Sequence, residues 1–178
     1  MKPGDHPEFF RFPAPEGQSR ESTIRLDKEG RFWHDGALVE HPRLAEAMHG
    51  WIARHPDDGR PILTNGYDWT YFTVEDTPFV VRSLRVIEPS GASLSGEARE
   101  GRELRLVLSN GEQAAPEALE AGPDGALYAR VTLRGQRWEA RFTRFAQTEL
   151  GPLLEEGPGG VGVRSGGRLL VPTPRRSP

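Results

Sequence analysis

The stretch from Ala126 to Thr143 reads ALYARVTLRGQRWEARFT. Two runs of alternating apolar and polar residues flank Gly135 and Gln136. A two-residue loop that opens with glycine suits a type II′ turn, and the loop length then sets the register. In that register Leu133 faces Trp138, Val131 faces Ala140 and Ala129 faces Phe142, all on one face. The other face sets Arg134 against Arg137, Thr132 against Glu139, Arg130 against Arg141 and Tyr128 against Thr143. A one-residue slip would destroy this segregation, so a long hairpin with one apolar face is expected.

Beyond the hairpin, Thr143 is placed to cap a helix carrying Phe145, Ala146, Leu150, Leu153 and Leu154, with Gly151-Pro152 kinking or restarting it. Val161 and Val163, then Leu169 to Val171, flank Ser165-Gly166-Gly167, which is hairpin chemistry. Upstream, Leu104 to Leu108 reads as a strand followed by an Asn110-Gly111 turn, and Pro116 to Ala121 as one short helical turn. The Gly- and Ser-rich residues 89–102 read as a linker.

The first half repeats the plan. Ile24 to Val39 gives three short strands, turning at Asp27–Gly30 and at Asp35-Gly36. Residues His41 to His55 form a helix opened by Pro42 and ended by Pro56, with Leu44, Met48, Trp51, Ile52 and His55 at helical spacing. Trp69 to Val86 reads as a second hairpin in which a four-residue loop sets Val74 against Phe79 and Phe72 against Val81. The pattern is thus a duplicated β-rich unit of short strands, a helical piece and a long hairpin, in an α+β chain. The expected boundaries are an extended or disordered arm over 1–21, a first unit over 22–88, the linker over 89–102, a second unit over 103–172 and a free tail over 173–178. Phe9, Phe10 and Phe12 are candidates to pin the arm to the body.

Composition narrows the function. The chain has 178 residues, enough for one domain or two small ones. With 21 Gly and 16 Pro, many turns and short strands are implied. The net charge of −3 gives no drive toward nonspecific nucleic-acid binding or an anionic membrane. No cysteine is present, which excludes disulfides, thiolate zinc sites and cysteine nucleophiles. The N-terminal MKPGDHPEFF lacks the apolar run of a signal peptide, and no stretch is long enough to span a bilayer, so a soluble cytoplasmic protein is expected.

The order and spacing of several landmarks resemble a bacterial family, domain of unknown function 1285 (DUF1285). They are GRFWHDG at Gly30 to Gly36 with HPRL from His41, VEDTPFVV at Val74 to Val81, SNGE at Ser109 to Glu112, and VGVRSGGRLLVP at Val161 to Pro172. The resemblance implies a duplicated α+β fold whose C-terminal half is similar to a pleckstrin-homology-like barrel with a terminal helix. It implies no established activity; proposals for the family point to a nucleotide-like ligand between the halves and a signalling role. Two departures stand out. Asn65-Gly66-Tyr67-Asp68 replaces a Pro-Val-Glu-Lys-like run, and Gln147-Thr148 replaces an aromatic pair, so a site using those positions would be altered here.

No residue cluster specifies a reaction, and no cofactor or metal is expected. The five His lack metal-site spacing. Trp33 and His34, in the first landmark, are candidate ligand contacts. Glu75 and Asp76 form a candidate acid–base pair whose other reading is turn structure. Arg130, Arg141, Arg134 and Arg137 share one hairpin face. Like charges directly opposite are destabilising, so they are expected either to splay into water, to pair with acids such as Glu139, or to bind an anion. The expectation is a non-enzymatic module for a small anionic, nucleotide-like ligand between the two halves. The alternatives are a protein-interaction module using the hairpin face and, less favoured, a hydrolase using His34 with Glu75 or Asp76.

Overall fold

A computed structural model describes residues 1–89 and 101–176 of the chain. Most of the stretch read as a linker, 90–100, therefore lies outside the described residues, as do 177–178. The fold is α+β and divides into two compact units, Met1–Pro78 and Phe79–Pro178.

In the first unit, β1 (Arg25–Leu26), β2 (Phe32–His34) and β3 (Ala37–Leu38) form the expected meander. Its two turns place Gly30 at φ 81° and Asp35-Gly36 at 50° and 77°. Helix α1 (Pro42–Gly50) begins at Pro42, and the His41 side chain accepts from the Leu44 amide at 3.4 Å. The helix stops five residues short of the expected His55. Gly50 weakens the last turn, and Ile52–Arg54 leaves it as strand β4, pairing with β5 (Pro61–Thr64). Across the Asn65-Gly66 turn, β6 (Trp69–Tyr71) completes a sheet in the order β4-β5-β6. The other sheet has the order β3-β2-β1-β7, with β7 (Thr73–Val74) parallel to β1. Leu26, Phe32, Met48, Ile52, Ile62, Leu63 and Phe72 are buried.

The N-terminal residues are neither extended nor free. Two 3-10 turns, Pro3–Asp5 and Pro7–Arg11, lay them on this unit. The Gly4 amide donates to the Gly66 carbonyl at 2.8 Å, Arg11 pairs with Asp57 at 2.9 Å, and Phe10 packs 6.0 Å from Trp69. Phe12, expected to help pin them, is exposed.

The second unit opens with β8 (Phe79–Ile87), which does not fold back on β7 as a hairpin. Phe79, Val80 and Val81 are all buried, as a central strand requires. β8 lies between β9 (Glu103–Leu108) and β13 (Gln136–Phe142) in a sheet of seven strands, in the order β10-β9-β8-β13-β12-β11-β17. Here β10 is Gln113–Ala114, β12 is Leu127–Leu133 and β17 is Thr173–Pro174. Residues Ala118–Ala121, read as a helical turn, are strand β11, because the β12 edge offers them a full antiparallel ladder. The element-by-element repeat therefore fails at the helical piece and at the first hairpin, although strand and glycine turn recur. The sheet curls without closing into a barrel: Arg134 Nε reaches Glu112, beside β10, at 3.1 Å.

The long hairpin is present, with a corrected register. Its turn is Arg134-Gly135, at φ 49° and 73°, a type I′ geometry with glycine second and arginine in the left-handed region. Val131 therefore faces Trp138, Ala129 faces Ala140, Arg130 faces Glu139 and Thr132 faces Arg137. The opposed arginine pairs do not exist. Because the error moves each partner by two residues, the core face is unchanged, and Ala129, Val131, Leu133, Trp138, Ala140 and Phe142 are all buried.

Helix α2 (Arg144–Leu150) is capped by Thr143 as expected, its hydroxyl accepting from the Ala146 amide at 3.1 Å. Leu154, assigned to this helix, instead begins β14 (Leu154–Gly157), and Phe145 is exposed. β14 pairs with β15 (Gly160–Ser165), which pairs with β16 (Arg168–Leu170) across Gly166-Gly167. The last residues are not a free tail. β17 adds to β11, and Arg175 spans Glu120 and Glu139, each at 3.1 Å, while lying 4.0 Å over the Tyr128 ring. Deleting 173–178 should therefore lower stability by at least about 1.5 kcal/mol, the scale of a hydrogen bond to a charged group. An unchanged denaturant midpoint would show that this strand is not held.

Candidate functional site

The groove of interest lies wholly within the first unit and has a volume of about 280 Å³. The meander contributes Ile24, His34 and Val39. Helix α1 contributes Leu44 and Met48, four residues apart and so on one face, and Trp51 follows at its end. The β5–β6 hairpin closes the far side with Leu63, Asn65, Asp68, Trp69 and Thr70. Leu44 remains 44% exposed although its neighbours are apolar.

The polar edge is built by the Asn65 turn. Asn65 Oδ1 accepts from the Tyr67 and Asp68 amides, both at 2.9 Å, which holds the turn and leaves the side-chain amide nitrogen facing away from it. Asp68 Oδ1 accepts from Arg20 Nη1 at 2.7 Å, and the same nitrogen donates to the Trp69 carbonyl at 2.9 Å. Arg20 stacks 4.6 Å from the Trp69 ring. Trp69 is also supported by Phe10, His55 and Tyr71, with the last two rings each 5.1 Å away. Burial, and then the Asp58 carboxylate that its hydroxyl meets at 2.8 Å, push the Tyr71 pKa up to about 12, so it stays a donor at neutral pH. Two buried donors here have no acceptor among the described residues: Trp69 Nε1 and Arg20 Nε.

Of the residues singled out from the sequence, His34 is in the groove. Its neighbour Trp33 points its indole N–H at Asp27, at 2.9 Å. Asp27 is 4% exposed and accepts in addition from the Arg31 amide and guanidinium and from the Glu29 amide. Burial alone would raise the Asp27 pKa, but the hydrogen bonds from Trp33 and Arg31 outweigh it and hold the carboxyl below its ordinary 3.8. Trp33 thus ties the meander together.

Glu75 pairs with Arg25, and Asp76 is half-buried with an interaction of its own. Extending the registers sets His34 level with Ile24 and Glu75 level with Asp27, on opposite sides of β1. Three residues of strand rise separate them by roughly 10 Å along the sheet, so they form no acid–base pair. Among the described residues no three His, Asp or Glu are grouped to hold a metal ion.

The hairpin arginines lie in the second unit, and three of the four are occupied by the chain's own acids. Arg130 pairs with Glu120, Arg134 with Glu112, and Arg141 with Asp124 at 2.8 Å and the Tyr128 hydroxyl at 2.6 Å. The hydrogen bond from Arg141 holds the Asp124 carboxyl below its ordinary pKa. Arg137 is exposed opposite Thr132. Gln147, at a position of family departure, bonds the Gly125 carbonyl at 2.9 Å and the Leu127 amide at 3.2 Å, fastening α2 to the start of β12.

With this geometry established, the chain has the fold of the DUF1285 family, to which the sequence landmarks had pointed. A DUF1285 family protein from Silicibacter pomeroyi DSS-3 matches it at a TM-score of 0.66, with 19% identity over 92% of each chain. A second, from Shewanella baltica OS155, matches at a TM-score of 0.45 and 14% identity, over 71% of this chain and 87% of that one. No protein-family model and no curated protein matches the sequence. Among the described residues no helix is long and apolar enough to cross a membrane.

Two expectations follow. Trp33→Phe should cost about 1–3 kcal/mol at neutral pH by removing a bond to a buried carboxylate. Asp27 has a depressed folded pKa, so its contribution is present above the unfolded pKa and is lost as pH falls through the folded one. The cost of Trp33→Phe should therefore fade below about pH 3.9; a cost that is independent of pH would mean that the bond is not to the ionised form. Separately, Arg141→Gln should lower the denaturant midpoint more than Arg130→Gln, since Arg141 is 18% exposed and doubly bonded while Arg130 is 55% exposed. The reverse ranking would reopen the hairpin as a free cationic face.

Proposed function

We propose that this chain is a binding module whose first unit holds a small molecule with an apolar ring in the groove between the meander, α1 and the β5–β6 hairpin. The observation that carries this reading is an apolar wall left uncovered: Leu44 on α1 stays 44% exposed above Met48, Trp51 and Leu63. Filling the groove with a ring would bury that surface, at roughly 25 cal/mol per Å² of apolar area removed from water. A volume of about 280 Å³ is near the lower end of small-molecule sites, roughly 300–1,000 Å³, and suits one ring with a substituent.

The reading departs from the anionic ligand expected from the hairpin arginines. Three of those guanidinium groups, on Arg130, Arg134 and Arg141, already meet Glu120, Glu112 and Asp124, which leaves Arg137 by itself on that face. Among the described residues the groove lining includes no lysine or arginine to hold a phosphate. Catalysis is not part of the proposal, because His34 and Glu75 are held apart.

The test follows the indole N–H signals of Trp51 and Trp69 by NMR while toluene is titrated. Saturable shifts are expected in the native chain and should be lost in Leu44→Glu, a change at a half-exposed helix position that should leave the free energy of unfolding within about 0.5 kcal/mol. Absence of saturable shifts, or identical shifts in the variant, would overturn the proposal.

A further inference from the structure

Arg175 sits in the second unit as a ligand sits in a site. It follows the two-residue strand β17, whose Thr173 and Pro174 are both exposed, so the segment brings little apolar surface with it. Its backbone lies along the β11 edge in a parallel register, Glu120 to Thr173 and Ala121 to Pro174, and the Arg175 amide donates to the Ala121 carbonyl at 2.8 Å. Pro174 has no N–H to add to that ladder. The side chain meets a cage shaped for a guanidinium. Nη1 donates to Glu120 Oε2 at 3.1 Å and to Glu139 Oε1 at 3.2 Å, and Nη2 donates to Glu139 Oε2 at 3.1 Å. The guanidinium carbon lies 4.0 Å over the Tyr128 ring. Tyr128 is 5% exposed, and the Arg175 and Glu120 side chains are 16% and 13% exposed. The walls have supports of their own: Arg130 holds the other oxygen of Glu120, and Arg141 donates to the Tyr128 hydroxyl at 2.6 Å. Two carboxylates and a ring face in this arrangement match a planar fork, which a lysine ammonium does not offer.

From this geometry we infer that the β11 edge, with Glu120, Glu139 and Tyr128, is a docking site for an extended segment of a partner protein that carries an arginine. Residues 173–175 fill it as an internal competitor. A strand added to a sheet edge gains main-chain bonds along that edge, and a side-chain pocket beside it gives the selectivity. The internal occupant displays the chemistry required of the partner. One side chain does most of the holding. When it leaves, it exposes a strand edge and two carboxylates that had shared one guanidinium. Another arginine-bearing strand restores both sets of bonds, whereas an acidic or neutral segment leaves the carboxylates opposed. Affinity for the partner is reduced by the fraction of molecules in which the site is filled from within. All of these residues belong to the second unit, and the site does not require the groove to be a ligand site.

The probe is an acetylated and amidated peptide with the sequence of residues 171–176, VPTPRR, titrated by NMR against the full chain. In Arg175→Glu a carboxylate is set against Glu120 and Glu139, which drives the internal strand off its site. The peptide should bind this variant saturably, with shifts at the amides of Glu120, Tyr128 and Glu139, and about tenfold or more tightly than it binds the native chain. Replacing both peptide arginines with citrulline, which keeps the shape and removes the charge, should weaken binding by about tenfold or more. Arg175→Gln, which withdraws the charge without adding repulsion, gives the same reading if Arg175→Glu does not fold. Absence of saturable binding to both variants would overturn the inference. Equal binding of the citrulline peptide would do so as well, because the cage would not be reading a guanidinium. Equal binding to the native chain would show that residues 173–175 do not compete, and the inference would fall.

Discussion

Phe79, Val80 and Val81 are consecutive and all buried, and most of the architecture depends on meeting that requirement. Successive strand residues point to opposite faces, so a run buried at every position needs cover above and below. A two-stranded hairpin cannot supply it. The strand is therefore central, between β9 and a parallel β13, and its chain enters the second unit at the start of that run. With β8 committed there, β7 pairs in parallel with β1 instead, and the first unit is left as two small sheets and one helix. A unit with so little regular structure covers its apolar surface incompletely, which is why a groove opens beside α1.

Signals that act within a few residues were legible in the sequence. Pro42 at the first helical position, Thr143 as a cap, the glycines after Asp35 and Asn110, and the Gly166-Gly167 turn all do locally what their chemistry dictates. Misreadings arose where two local solutions were close and tertiary partners chose between them. At Arg134-Gly135 the glycine can occupy the first or the second place of a two-residue turn. The structure puts it second, at the cost of a left-handed arginine, which then reaches Glu112. For Ala118–Ala121 and Ile52–Arg54, a neighbouring strand edge overrode weak helical patterning. The last residues have no periodicity to read. Their order comes from Arg175, whose partners Glu120 and Glu139 lie far away in sequence.

The same logic explains the site. His34 and the Asn65–Asp68 turn were visible as landmark and departure, and Leu44 and Met48 as a helical face. That these belong to one groove was not visible, because it depends on three elements meeting. The hairpin arginines were over-read for a matching reason. Their apparent self-repulsion followed from a register in error by two residues. In the observed register Arg130 faces Glu139, and the surrounding acids complete a charge network that the chain closes by itself with Arg175. With three of its four arginines paired in this way, the face has only Arg137 left to offer an anion.

Which groups are left over after folding is thus a better guide to binding than which groups are present. Asn65 and Asp68 each have two polar atoms at the end of the side chain, and in each the fold uses one. The turn takes Asn65 Oδ1 for two backbone amides, and Arg20 takes Asp68 Oδ1. Composition alone would class this edge as one amide and one acid, able to meet almost any polar partner. After the internal bonds are assigned, what remains is a donor at Asn65 and an acceptor at Asp68, while the Trp69 N–H is buried without an acceptor among the described residues. What distinguishes one polar partner from another at this edge is how well its own donor and acceptor match the two kinds of group left open.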